Sequence, residues 1–126
     1  MMYEHYNPNP SNKYTGDCVI RAICAATNSD WETVYIKLAL RGFMMHEMPS
    51  SNAVWDAQLI SEGFVRAVIP NTCPNCYTVK DFCRDHVDGK YILGTGTHAV
   101  AVINGKYYDA WDSGEEIPTY FYRKEY

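Results

Sequence analysis

Gly16-Asp17-Cys18-Val19-Ile20-Arg21-Ala22-Ile23-Cys24-Ala25-Ala26-Thr27 is the stretch on which the reading of this chain turns. Gly16-Asp17 reads as a turn that opens directly into an apolar helix. Val19, Ile20, Ile23 and Cys24 give that helix one apolar face, and Ala25 and Ala26 permit close packing. The pattern predicts a central helix over about 17–27 with Cys18 at or next to its first residue. A helix N-terminus presents unpaired N–H groups and the positive end of the peptide dipoles. Both favour a thiolate, the nucleophilic form, over a thiol that ordinarily titrates at about 8.5. Taken alone, Cys18 reads more simply as a small buried apolar residue, as most free cysteines are. The far end of the chain changes that balance.

Composition narrows the classes. The 126 residues suffice for one domain, expected to span 1–126, and not for two. Apolar residues make up 47% and charged residues 21%, the profile of a soluble globule. No apolar run approaches the roughly 20 residues that cross a bilayer, so no membrane partner is expected. Met1 to Lys13 is polar and carries two prolines, which does not read as a secretion signal. The net charge is −4 and no block of Lys or Arg occurs, so nucleic acid is a poor partner. Five cysteines, an odd number, do not read as a disulfide framework. Mostly free thiols in a reducing, cytoplasmic compartment are expected.

The order of elements predicts an α+β protein, helices first and then an antiparallel sheet. Residues 1–15 hold Asn7-Pro8-Asn9-Pro10 and read as an irregular arm. Ser29 and Glu32 have the spacing of a capping box for a second helix, with Trp31, Val34, Tyr35 and Leu38 on one stripe and Gly42 as its stop. Phe43-Met44-Met45 then reads as a loop. Ser50 or Ser51 caps a third helix that ends at Gly63, and Phe64 to Ile69 is a strand. Pro70 to Asn75 is a loop, and a short helix follows from Thr78 to about His86. Lys90–Leu93, His98–Ile103, Lys106–Trp111 and about Ile117–Tyr122 read as strands. Asn104-Gly105 between two of them is a strong hairpin signal.

That hairpin assembles the chemistry. With a two-residue turn, Ile103 faces Lys106 and His98 faces Trp111. Asp112 then lies at the hairpin mouth beside His98, and Asp109 lies two residues inside on the His98 face. Either carboxylate can orient the imidazole and stabilise its charged form. A nucleophile at a helix start, a histidine on a distant strand and an acid on the next form a Cys-His-Asp arrangement. His98 alone would read as an edge histidine and Asp112 alone as a turn residue. The three together make those readings the weaker ones.

The arrangement resembles the papain-like cysteine peptidases: Cys opening the central helix, His starting a strand, Asp or Asn ending the next. His98-Ala99-Val100-Ala101-Val102 is similar to the papain histidine strand. Asp17-Cys18 leading into an Ala-rich helix resembles the compact bacteriocin-leader peptidases and, more distantly, the Josephin deubiquitinases. The resemblance implies a papain-like α+β fold and acyl transfer to Cys18 with His98 as base. It favours Asp112 over Asp109 as the orienting acid. It places Asn12, six residues before Cys18, where relatives carry an oxyanion-binding Gln, and Val19 where many have Gly. The substrate implied is a polypeptide or peptide-like amide and the compartment that of a bacterial or phage intracellular protein. An acyltransferase using the same thiol and a non-catalytic binding module of the same fold are the alternatives. Oligomeric state is not written in the sequence.

A competing cluster is Cys73-Pro74-Asn75-Cys76 with Cys83 and His86 at helical spacing. These four have the donor set of a Cys₃His structural zinc site. The alternatives are a reversible Cys73–Cys76 disulfide, a core Cys83 and a His86 bound to its own helix end. No cofactor is otherwise called for. His5 and His46 receive no role.

Overall fold

The computed structural model describes residues 2–124. In chain order the elements are β1 (Tyr3–His5), α1 (Cys18–Thr27), α2 (Trp31–Met45), α3 (Asn52–Ser61), β2 (Phe64–Val68), α4 (Val79–Asp85), β3 (Lys90–Gly94), β4 (Ala99–Ile103), β5 (Lys106–Asp109) and β6 (Tyr120–Lys124). The class is α+β. The strands form one open six-stranded sheet in the order β1-β5-β4-β3-β6-β2.

The sheet is mixed, not purely antiparallel. The arm contributes β1, which pairs parallel to β5 with Tyr3 opposite Tyr107. The irregular arm expected over 1–15 therefore holds a strand at its start. It was illegible because three residues, soon followed by the Asn-Pro repeat, are too few to show an alternation. β3, β4 and β5 make the expected meander. β6 then returns to pair with β3 on one side and β2 on the other, lying between them. The turn joining β4 to β5 has positive φ at both Asn104 (49°) and Gly105 (78°), the type I′ geometry that this dipeptide favours. It sets Ile103 opposite Lys106, as the sequence predicts.

Helices cover both faces. α1, α2 and α3 pack on the face that presents Ile92, Ala99, Ala101 and Tyr122. α4 packs on the face that presents Leu93, Val100, Val102 and Tyr107. α1 crosses β4, and the contact is small against small: Ala22 and Ala26 in the same buried cluster as Ala99 and Ala101. Short side chains bring the helix axis close to the sheet, which brings the first residue of α1 to the residue preceding β4.

Both boundaries of α2 differ from expectation, and β6 lies two to three residues later than expected. The cap of α2 is Asp30, whose carboxylate accepts from Thr33 N–H at 2.7 Å, and not the Ser29–Glu32 box. α2 also runs through Gly42 to Met45, ending on a left-handed His46. Gly42 is present because the chain doubles back on it: a Cβ there would lie 2.7 Å from the Glu47 carbonyl oxygen. Thr78 caps α4 through a capping box with Asp81.

Candidate active site

Cys18 is the first residue of α1 and is half-buried. The residue before it, Asp17, does not cap the helix with its side chain. Its carboxylate instead accepts from Arg21 Nη1 at 2.8 Å and from Trp31 Nε1 at 2.9 Å. The first-turn N–H groups of α1 are thus left without a side-chain cap, beside the Cys18 sulfur.

His98 directly precedes β4. A short turn sets it there: the Thr95 hydroxyl accepts from the His98 N–H at 3.1 Å, and Thr95 N–H donates to the His98 carbonyl at 2.9 Å. Gly96 within that turn has φ +99°, a conformation in which a side chain is strained. The imidazole stands beside the Cys18 side chain on the wall of one cavity, near enough for each to shift the other's titration. Its Nε2 faces Asp109 Oδ2 at 2.6 Å, which leaves Nδ1 for the sulfur. Trp111 covers the ring at a centroid distance of 4.8 Å.

Asp109 ends β5 and is fully buried. Each of its oxygens is saturated. Oδ1 accepts from Arg21 Nε (3.1 Å), from Arg21 Nη2 (2.9 Å) and from Ala110 N–H (2.8 Å). Oδ2 accepts from His98 and from the Ser113 hydroxyl, both at 2.6 Å. Arg21 is itself buried and bridges Asp17 and Asp109, so α1 and β5 are tied by one guanidinium. Burial of a charge is costly unless it is paired and hydrogen bonded, and every group here is.

The electrostatics favour a charged pair. Burial pushes the Cys18 thiol up. The hydrogen bonds from His98 and from Ala99 N–H, with the charges of His98 and Arg21, outweigh it and leave Cys18 below its ordinary value. Burial pulls His98 down. Its hydrogen bonds to Asp109 and Cys18 and their negative charges prevail, raising it to about 9. Burial likewise opposes ionisation of Asp109, but the hydrogen bonds from His98 and Ser113 hold its carboxyl below the usual range. The other free cysteines contrast with Cys18. Burial pushes Cys24 up to about 12 and Cys83 up to about 11.

Cys18 and His98 line a cavity of about 460 Å³. Its walls come from the start of α1, from Tyr35 and Leu38 of α2, from Trp55 of α3 and from Tyr120 of β6. The single acidic wall residue, Asp17, has its charge taken up by Arg21.

The structure thus brings together Cys18, His98 and Asp109. It does not bring Asp112 or Asn12 to them. β5 stops at Asp109, so the chain has left the strand before Asp112. That carboxylate turns back to accept from the Tyr107 hydroxyl and from Gly114 N–H. The orienting position expected for Asp112 is filled by Asp109. Asn12 is exposed in a turn of the arm with φ 56°, and it is not among the residues lining the cavity. Arg21, Ser113 and Trp31 are site residues that sequence reasoning missed. The signal for Arg21 was present: a lone cation on the otherwise apolar helix, in register with Asp17 one turn earlier.

The four residues of the proposed zinc cluster are not gathered. Cys73 and Cys76 are joined in a disulfide. Cys83 is on the buried face of α4, and the His86 ring stacks on Phe82 with centroids 3.7 Å apart. Among the described residues no group of three or more His, Cys, Asp or Glu is arranged to hold a metal ion. Among those residues, too, no helix is long and apolar enough to cross a membrane. In comparisons with known proteins, no family model, no curated protein and no solved structure matches this chain.

Proposed function

We propose that this chain is a cysteine-dependent amide hydrolase, a peptidase of compact papain-like build that works through a thioester on Cys18. One observation carries the reading. A half-buried thiol at a helix N-terminus shares a cavity wall with an imidazole to which it is electrostatically coupled, and one ring nitrogen of that imidazole is held by a buried, fully bonded carboxylate. Nucleophile, base and orienting group are the parts that covalent acyl transfer needs.

The chemistry follows from the charged pair. The Cys18 thiolate attacks the amide carbon, a C–S bond forms and the carbonyl electron pair moves to oxygen. Uncapped N–H groups at the start of α1 are the donors for that oxyanion, in place of the Asn12 amide. His98 gives its Nδ1 proton to the leaving nitrogen as the C–N bond breaks. Water then attacks the thioester and returns a proton to His98. The carboxylic acid departs and the thiolate–imidazolium pair is restored. Asp109 keeps the imidazole in place throughout. The substrate in this reading is a polypeptide or peptide-like amide, and the setting is a reducing cytoplasm in which Cys18 stays a thiol.

The test is acylation by an activated ester, p-nitrophenyl acetate, followed by mass spectrometry of the acid-quenched protein. A burst of nitrophenolate stoichiometric with protein and an acetyl group on Cys18 are expected, both absent in Cys18→Ala. No burst from folded protein, or acetylation elsewhere, overturns the reading. Added amine that accelerates turnover and captures the acyl group identifies an acyltransferase using the same thiol.

A further inference from the structure

The exposed face of α2 is a large surface feature that the site does not use. Ile36, Leu40, Phe43 and Met44 stand at i, i+4, i+7 and i+8, so they form one stripe along the helix. Met48 extends it past the helix end. These five side chains are between 57% and 75% exposed. The stripe is an amphipathic pattern facing solvent, while Val34 and Leu38 already serve the core on the opposite side.

Taking about 200 Å², the middle of the aromatic range and more than an aliphatic side chain has, as the ceiling for each residue, the stripe uncovers at most roughly 650 Å² of mostly apolar surface. That is on the scale of the largest patch of a typical monomer, roughly 300–600 Å². Two such stripes face to face bury at most about 1,300 Å², the scale of the roughly 1,000 Å² that a specific protein–protein interface should clear.

We infer that this face of α2 is the two-fold interface of a homodimer. The helical part of the stripe runs along the axis from Ile36 to Met44, and Leu40 stands at its middle. A two-fold axis through Leu40 lays α2 antiparallel on its copy, with Ile36 against Met44 of the partner and Leu40 against its own counterpart. The charges beside the stripe fit this occupant better than a membrane. Lys37 is paired with Glu62, and Arg41 is bonded to Gln58 and Ser61, so the cations that would hold an anionic lipid surface are engaged within the chain. The net charge of −4 opposes such a surface as well.

The experiment is sedimentation equilibrium of the full chain at micromolar concentration, with three variants. Wild type is expected at twice the chain mass. Phe43→Glu and Leu40→Glu are expected at the monomer mass with unchanged far-ultraviolet circular dichroism. Leu40→Cys is expected to cross-link to a covalent dimer under mild oxidation, where wild type does not. Phosphatidylglycerol vesicles are run alongside by co-sedimentation. A monomeric wild type overturns the inference, whether or not it binds the vesicles. So does a dimer that persists in both Glu variants. Because neither measurement reads catalysis, their failure leaves the hydrolase reading standing, and the reverse.

Discussion

His98 Nε2 and Asp109 Oδ2 lie 2.6 Å apart, although eleven residues and a hairpin turn separate them in the chain. The carboxylate ends one strand and the imidazole precedes the strand beside it, so hairpin register sets their distance. The pairing fixes which ring nitrogen faces the sulfur. A proton held on Nε2 by Asp109 leaves Nδ1 to exchange its proton with Cys18.

Asp109→Asn therefore removes the group that holds the tautomer. Its ester burst rate is expected to fall, by at most roughly 10⁴, the loss when the orienting carboxylate of a serine triad becomes an amide. Asp112→Asn and Asn12→Ala are expected to leave the burst rate unchanged. Stopped-flow release of nitrophenolate compares the three. Loss in Asp112→Asn with retention in Asp109→Asn reverses the assignment.

Stability should depend on pH in two limbs. His98 is raised to about 9 from the 6.5 of an unfolded histidine. Its contribution is complete below about 6.5 and disappears as pH rises through 9. Asp109 is lowered, so its contribution is present above the ordinary carboxylate range and is lost as acid protonates it in the folded state. Tm should fall on the acid side, while on the alkaline side the loss at His98 is opposed by Cys18, whose lowered value adds stability as pH rises toward the ordinary thiol range. In His98→Gln the alkaline loss at His98 should vanish, as differential scanning calorimetry across pH will read.

Arg21 is the tie between α1 and β5. Arg21→Ala leaves the Asp17 and Asp109 carboxylates buried without their cation and is expected to cost roughly 3–5 kcal/mol, the scale of a broken buried pair. Arg21→Lys should recover only part of this, because one ammonium does not reproduce the forked guanidinium contacts to both acids. Urea midpoints rank the variants, and a ranking of Lys equal to wild type contradicts the bridging role.

Gly94 supports the cavity wall. A Cβ at this position would fall within the Tyr120 ring, and Tyr120 lines the cavity. Gly94→Ala should destabilise by about 1–3 kcal/mol through overpacking and displace Tyr120. Thermal melts measure the first effect. The second should appear as a changed KM for peptide substrate, with the thiolate reactivity of Cys18 retained.

Much of this was legible in local pattern. Helical spacing placed α1 and its cysteine, and Asn104-Gly105 set the register that joins His98 to Asp109. The carboxylate choice was not legible, because parity admits Asp109 while proximity to the turn admits Asp112. It was decided by where β5 ends, which depends on tertiary pairing. Gly42 misled because its role is close approach to Glu47 and not helix termination. β1 and the placement of β6 depend on contacts between residues distant in sequence, which no window of the chain displays. Arg21 was hidden in plain sight: a buried cation is improbable until the acids that receive it are located.

The most direct test is the pH dependence of iodoacetamide alkylation, resolved by peptide mass mapping at Cys18, Cys24 and Cys83 in the folded protein. The account predicts that Cys18 reacts first, with a thiolate formed at a pH below the ordinary thiol value, and that His98→Ala moves it upward. A Cys18 that reacts no earlier than Cys24, or whose profile is unmoved by loss of His98, contradicts it.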